Sequence, residues 1–162
     1  MEGAHIHLLL NHFPIIGTFI GTLILAYSLY AKNTSITKVG LAVIAIMAII
    51  ALPAYFSGEE AEEAIEHFKG ISKHVIHEHE ELAEKGIVLM ALLGILALAS
   101  LYAIKKELAF TKKLVLATLI VSILTFGLFA KVGNLGGQIR HSEIRDTQTQ
   151  NQVLEHNDDD DN

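Results

Sequence analysis

The sequence predicts an all-α integral membrane protein, a bundle of four transmembrane helices. Four stretches, 13–31, 39–56, 86–104 and 114–130, contain no charged residue. Each is close to the ~20 residues that a helix needs to cross ~30 Å of hydrocarbon. The apolar runs are continuous rather than alternating, which argues against a β-barrel, and unpaired backbone groups in lipid leave only the helix as an alternative. Hydrophobic residues form 51% of the 162-residue chain, enough for one membrane domain with short connections.

The chain opens Met1-Glu2-Gly3-Ala4, without the basic region of a signal peptide, so the first apolar run is expected to be a retained span. Gly17 and Gly21 in span 1, and Gly133 and Gly137 after span 4, have the small-xxx-small spacing that lets helices approach closely. Helix packing is one reading of these pairs; close approach of a flat cofactor to the Gly136-Gly137 region is the other. Pro53 lies near the end of span 2, where a kink is tolerated. In the connection 57–85, Ser57 and Glu60 have capping-box spacing, which predicts a short acidic helix over Glu59–Phe68, broken near Gly70. Ser72 can cap a further helix that continues through His79 into span 3. Residues 1–141 thus form the membrane domain. The segment 142–162, ending in Asp158–Asp161, is too polar to fold and reads as a disordered acidic tail.

Charge sets the expected orientation. Loop 32–38 carries Lys32 and Lys38 with no acid, and loop 105–113 carries four lysines against Glu107, whereas 57–85 holds nine acids and three lysines. The positive-inside rule puts the two lysine loops in the cytoplasm of a cell (inner) membrane protein, with both termini and loop 57–85 outside. The net charge of −6 argues against nucleic acid as a partner, and against anionic headgroups on the acidic side. The absence of cysteine excludes disulfides, thiolate metal sites and covalent c-type haem.

All nine histidines (5, 7, 12, 67, 74, 77, 79, 141 and 156) fall on the acidic side, and none lies deep in a span. At 1.5 Å of rise per residue, His12 and His7 stand roughly 30 and 37 Å above Lys32, His79 roughly 39 Å above Lys105, and His141 roughly 42 Å above Lys113. Imidazoles at similar height on separate helices point to a site for b-type haem or for a non-haem iron, copper or zinc ion. The candidate ligands are His7, His12, His79 and His141. Glu63, Glu80 and Glu143 can ligate or orient an imidazole, and Arg140 can face a haem propionate or pair with an acid. A structural network of histidines and carboxylates accounts for the same residues without a cofactor. His67, His74 and His77 read as solvated, with an i,i+4 pair between His77 and Glu81 available.

The segments His7-Leu-Leu-Leu-Asn-His12-Phe-Pro14, Ser57-Gly58-Glu59-Glu60-Ala-Glu-Glu63, His79-Glu80-Glu81 and Gly136-Gly137-Gln-Ile-Arg140-His141-Ser-Glu143 resemble a family of bacterial membrane proteins with four spans and a domain of unknown function. The resemblance covers about residues 5–145. Its motifs fall on His7, His12, Glu59, Glu63, His79, Glu80, Glu81, Arg140, His141 and Glu143, while Glu60 and Ser142 stand where relatives often have proline. Some relatives are fused to, or encoded beside, c-type cytochromes, which implies a periplasmic c-type cytochrome or redox complex as partner. The leading expectation is therefore an electron-transfer subunit with a cofactor at its outer face. A small transporter or channel, a metal-dependent oxidase, or a structural subunit are the other readings. The spans hold no ionisable residue, which weighs against transport. Homo-oligomers are compatible with four thin helices, and no nucleophile or nucleotide motif is present.

Overall fold

A computed structural model describes residues 2–141, apart from 66 and 69, together with residue 144. Every regular element among these residues is helical: α1 (Glu2–Leu10), α2 (His12–Ala31), α3 (Thr34–Phe56), α4 (Gly58–Glu63), α5 (Lys73–Lys105) and α6 (Thr111–Arg140). The expected tail beyond Ile144, like Ser142 and Glu143, lies outside the described residues.

Helices α2, α3, α5 and α6 are the four spans. They pack in a closed ring, α2 against α3, α3 against α5, α5 against α6 and α6 against α2. The core between them holds Leu25, Leu41, Ile44, Met90, Leu93 and Ala97, all fully buried. No more than 33% of any span's apolar window is buried within the protein, so most of each helix needs a second apolar medium. The distribution of side chains agrees. Thr18, Ser100, Thr118, Ser122 and Thr125 are completely buried, whereas Leu23, Ile49, Val88, Ile95, Leu98 and Leu124 are more than half exposed. Polar groups inside and large apolar groups outside are the pattern of a bundle solvated by lipid. The chain is a multi-pass membrane protein.

Most internal hydroxyls donate to carbonyls of their own helix: Thr22 to Thr18, Ser28 to Leu25, Ser122 to Leu119 and Thr125 to Val121. Two pairs bridge helices, Thr37 to Ser28 at 3.0 Å and Ser100 with Thr118 at 2.9 Å. Glycines set the α2–α3 spacing. A Cβ on Gly40 would stand 2.9 Å from the backbone nitrogen of Leu25 and 3.2 Å from the Gly21 carbonyl. Gly17 lies against Met47, and Gly133 against Ile15 of α2. The packing reading of the glycine pairs holds at these positions.

Both turns at the lysine end close alike. Asn33 N–H donates to Ser28 and Lys32 N–H to Leu29; Leu108 N–H donates to Ala103 and Glu107 N–H to Ile104. These are Schellman pairs, with Lys32 (φ 51°) and Glu107 (φ 53°) in the left-handed region.

At the other end the helices overrun the bilayer. The 33 residues of α5 make a rod about 50 Å long at 1.5 Å per residue, so the charged part before Gly86 stands clear of the hydrocarbon. Ser72 caps it by accepting from Val75 N–H, as its sequence predicts. Helix α6 runs without a break through Gly133–Gly137 to Arg140, ten residues beyond the expected span. Val75 and Ile76 of α5 pack with Leu135 and Ile139 of α6 into a second small core.

Helices α1 and α2 meet at Asn11, which keeps helical angles and donates its N–H to the His7 carbonyl at 2.8 Å. The first span therefore continues outward to Gly3; only the Leu10 carbonyl loses its donor, at Pro14. Two local expectations need correction. The acidic helix ends at Glu63 rather than Phe68. The capping box does not form: Ser57 has helical angles, and its Oγ donates to the Pro53 and Ala54 carbonyls. Glu60 instead accepts from Gly3 N–H at 3.0 Å, tying α4 to α1.

Candidate functional site

Two imidazoles at the histidine-rich end are held in the same way. His7 on α1 donates through Nδ1 to the Ala54 carbonyl of α3 at 2.8 Å. His79 on α5 donates through Nδ1 to the Val132 carbonyl of α6 at 2.9 Å. A carbonyl only accepts, so each contact places a proton on Nδ1, and the neutral form of each ring then keeps its lone pair on Nε2. Neither Nε2 bonds to the described residues. In a metal or haem site, a histidine's second nitrogen is anchored in this manner.

Each acceptor carbonyl is followed four residues later by a glycine. Gly58 follows Ala54, and a Cβ there would lie 3.7 Å from His7 Cε1; Gly136 follows Val132, and a Cβ there would lie 3.2 Å from His79 Cε1. A helical side chain at i+4 flanks the carbonyl at i; at Gly136 its absence gives the His79 ring room, whereas at Gly58 a methyl would meet His7 at ordinary contact distance. Gly136 thus packs against an imidazole, and Gly137 faces Ile144. The Ala54 carbonyl lies in the last turn of α3 and accepts from the Ser57 hydroxyl at 3.1 Å as well as from His7.

His79 lies outside the membrane-spanning part of α5, and its pKa is held below the usual histidine range. Burial is the main cause; a charge on His7 pushes in the same direction, while the Val132 carbonyl and Glu80 oppose it. The net effect favours the neutral form of the His79 ring.

The other sequence candidates are placed differently. His12 is exposed and hydrogen-bonded through Nδ1 to the neighbouring Asn11 side chain. His141 is exposed at the C-cap of α6. Glu63 and Glu80 are exposed as well, and Glu143 lies outside the described residues. Arg140 stacks on Phe68, with its guanidinium carbon 5.6 Å from the ring centre. Among the described residues no three histidine or carboxylate side chains gather as a metal-binding group. Glu81 pairs with Lys85 at 2.7 Å rather than with His77, and His74 lies 3.8 Å from Glu78.

Sequence reasoning missed the two carbonyls, because main-chain acceptors have no letter of their own. No common spacing marks them either: Gly58 lies 51 positions after His7, and Gly136 lies 57 after His79.

Fold and site together define a multi-pass helical membrane protein with two anchored imidazoles at one end. Comparisons with protein-family models, curated proteins and solved structures find no match.

Proposed function

We propose that the protein binds a redox cofactor at its histidine-rich end, b-type haem or a transition-metal ion, with His7 and His79 as the protein ligands. The observation that carries this reading is the matched anchoring of the two rings, Nδ1 on a backbone carbonyl and Nε2 left with its lone pair. Two imidazoles from different helices would be the residues that hold a haem iron. They suit equally a single iron, copper or zinc ion whose remaining positions go to water or a substrate. The protein's part is to hold both rings by Nδ1 on elements fixed by packing. Arg140 and the exposed acids of α4 are available to a haem propionate and to a basic redox partner such as a c-type cytochrome. With the lysine turns in the cytoplasm, this end faces the periplasm, and the role is that of an electron-transfer subunit.

The test is the visible spectrum and metal content of protein purified in mild detergent. His7→Ala and His79→Ala should each lower cofactor occupancy at least tenfold while insertion is retained, and His12→Ala should leave it within twofold. Equal occupancy in parent, His7→Ala and His79→Ala would sink the assignment. A Soret band selects haem, and stoichiometric metal in a colourless preparation selects the ion.

A further inference from the structure

At the opposite end of the bundle, an open apolar groove of about 460 Å³ runs between the end of α5 and the start of α6. Ile95, Leu98, Ala99 and Tyr102 form one wall, and Leu108, Phe110 and Leu114 the other. Ile95, Leu98, Tyr102 and Phe110 are all more than half exposed, so the groove opens outward from the bundle, toward lipid. Its upper rim is the α5–α6 turn with the helix ends that flank it, where Lys105, Lys106, Lys112 and Lys113 are all exposed, against Glu107. None of these lysines forms an ion pair with the described residues. Lys32 in the α2–α3 turn and Lys38 near the start of α3 add two further positive charges at this end.

From this juxtaposition we infer a binding site for an anionic phospholipid, one acyl chain lying in the α5–α6 groove and the phosphate headgroup among the four lysines above it. The groove alone would accept any apolar occupant, a second copy of the chain included. Charge selects between them. A second copy would bring its own lysine turn to the same height, setting four like charges against four, whereas an anionic headgroup neutralises them. Clusters of lysine at the ends of transmembrane helices attract acidic lipid headgroups. Tyr102 and Phe110 suit the interfacial level that aromatic rings prefer.

The experiment is native mass spectrometry of the full chain in detergent, titrated with phosphatidylglycerol and with phosphatidylcholine of identical acyl chains. The parent should retain phosphatidylglycerol at least fivefold more than phosphatidylcholine. Replacing the four lysines by glutamine should abolish that preference, and Ala99→Trp, which fills the groove, should reduce retention of both lipids. If the fourfold variant does not insert, the pairs Lys105→Gln/Lys106→Gln and Lys112→Gln/Lys113→Gln make the same comparison. Equal retention of the two lipids by the parent overturns the proposal. So do a preference that survives removal of the lysines, and a dimer cross-linked through Ala99→Cys in liposomes of phosphatidylglycerol.

Discussion

An imidazole committed through Nδ1 to a carbonyl has little freedom left: its tautomer, its ring plane and the direction of its lone pair are set together. At His79 burial adds a preference for the neutral form, and this has a consequence with pH. In the unfolded chain the ring takes up a proton near the ordinary value of 6.5, whereas in the fold it does so only at lower pH. Between those two points the unfolded state binds more protons, so stability falls as pH falls through that window. Thermal unfolding in detergent should show the parent losing stability between pH 7.5 and 5, with a shallower loss in His79→Gln. The glycines beside the rings make a second, sharper contrast. Gly58→Ala places its methyl at ordinary contact distance from His7, while Gly136→Ala presses on His79 at 3.2 Å. Cofactor occupancy should fall severalfold in Gly136→Ala and remain near parental in Gly58→Ala. The sequence exposed the histidines themselves through their crowding on one side of the chain. It did not separate His7 and His79 from His12 and His141, because a ring's burial depends on helix phase and on neighbours distant in sequence.

Among the helices, the contact between α2 and α3 is the one with least tolerance. Gly40 faces the backbone of Leu25 and Gly21 rather than a flexible side chain, so an added methyl can be accommodated only by moving a helix. Overpacking of this kind costs typically ~1–3 kcal/mol, and Gly40→Ala should lower the midpoint of unfolding in sodium dodecyl sulfate accordingly. Gly127, with nothing within 4 Å of its added Cβ, is the control: alanine there should be neutral or stabilising by up to ~1 kcal/mol. The spans were legible because charge is excluded from hydrocarbon whatever the packing. Helix ends outside the bilayer were less so. Ser57 and Glu60 carry the letters of a capping box, yet α3 runs into α4 with Ser57 still helical, and Glu60 is drawn to Gly3. A capping motif read from sequence assumes that the chain has left the preceding helix, and at Ser57 it has not.

The whole molecule is two helical hairpins of like design. In each, a histidine precedes the first span, a Schellman turn bearing lysine joins the spans, and the second span presents a carbonyl and a glycine to the ring. The first hairpin comprises α1, α2 and α3; the second comprises α5 and α6; α4 and residues 64–72 connect them. Transmembrane helices form individually before they associate, and the hydrogen bond of each ring stays within its own hairpin. Continuity of the peptide chain between the hairpins is then dispensable. Two separately translated fragments, Met1–Ile65 and Gly70–Asn162, should insert side by side and co-purify as a complementing pair, whereas either fragment alone should be degraded or aggregate. Because each fragment would contribute one of the two proposed ligands, His7 or His79, restored binding of the proposed cofactor in the pair would report reunion of the halves without any label.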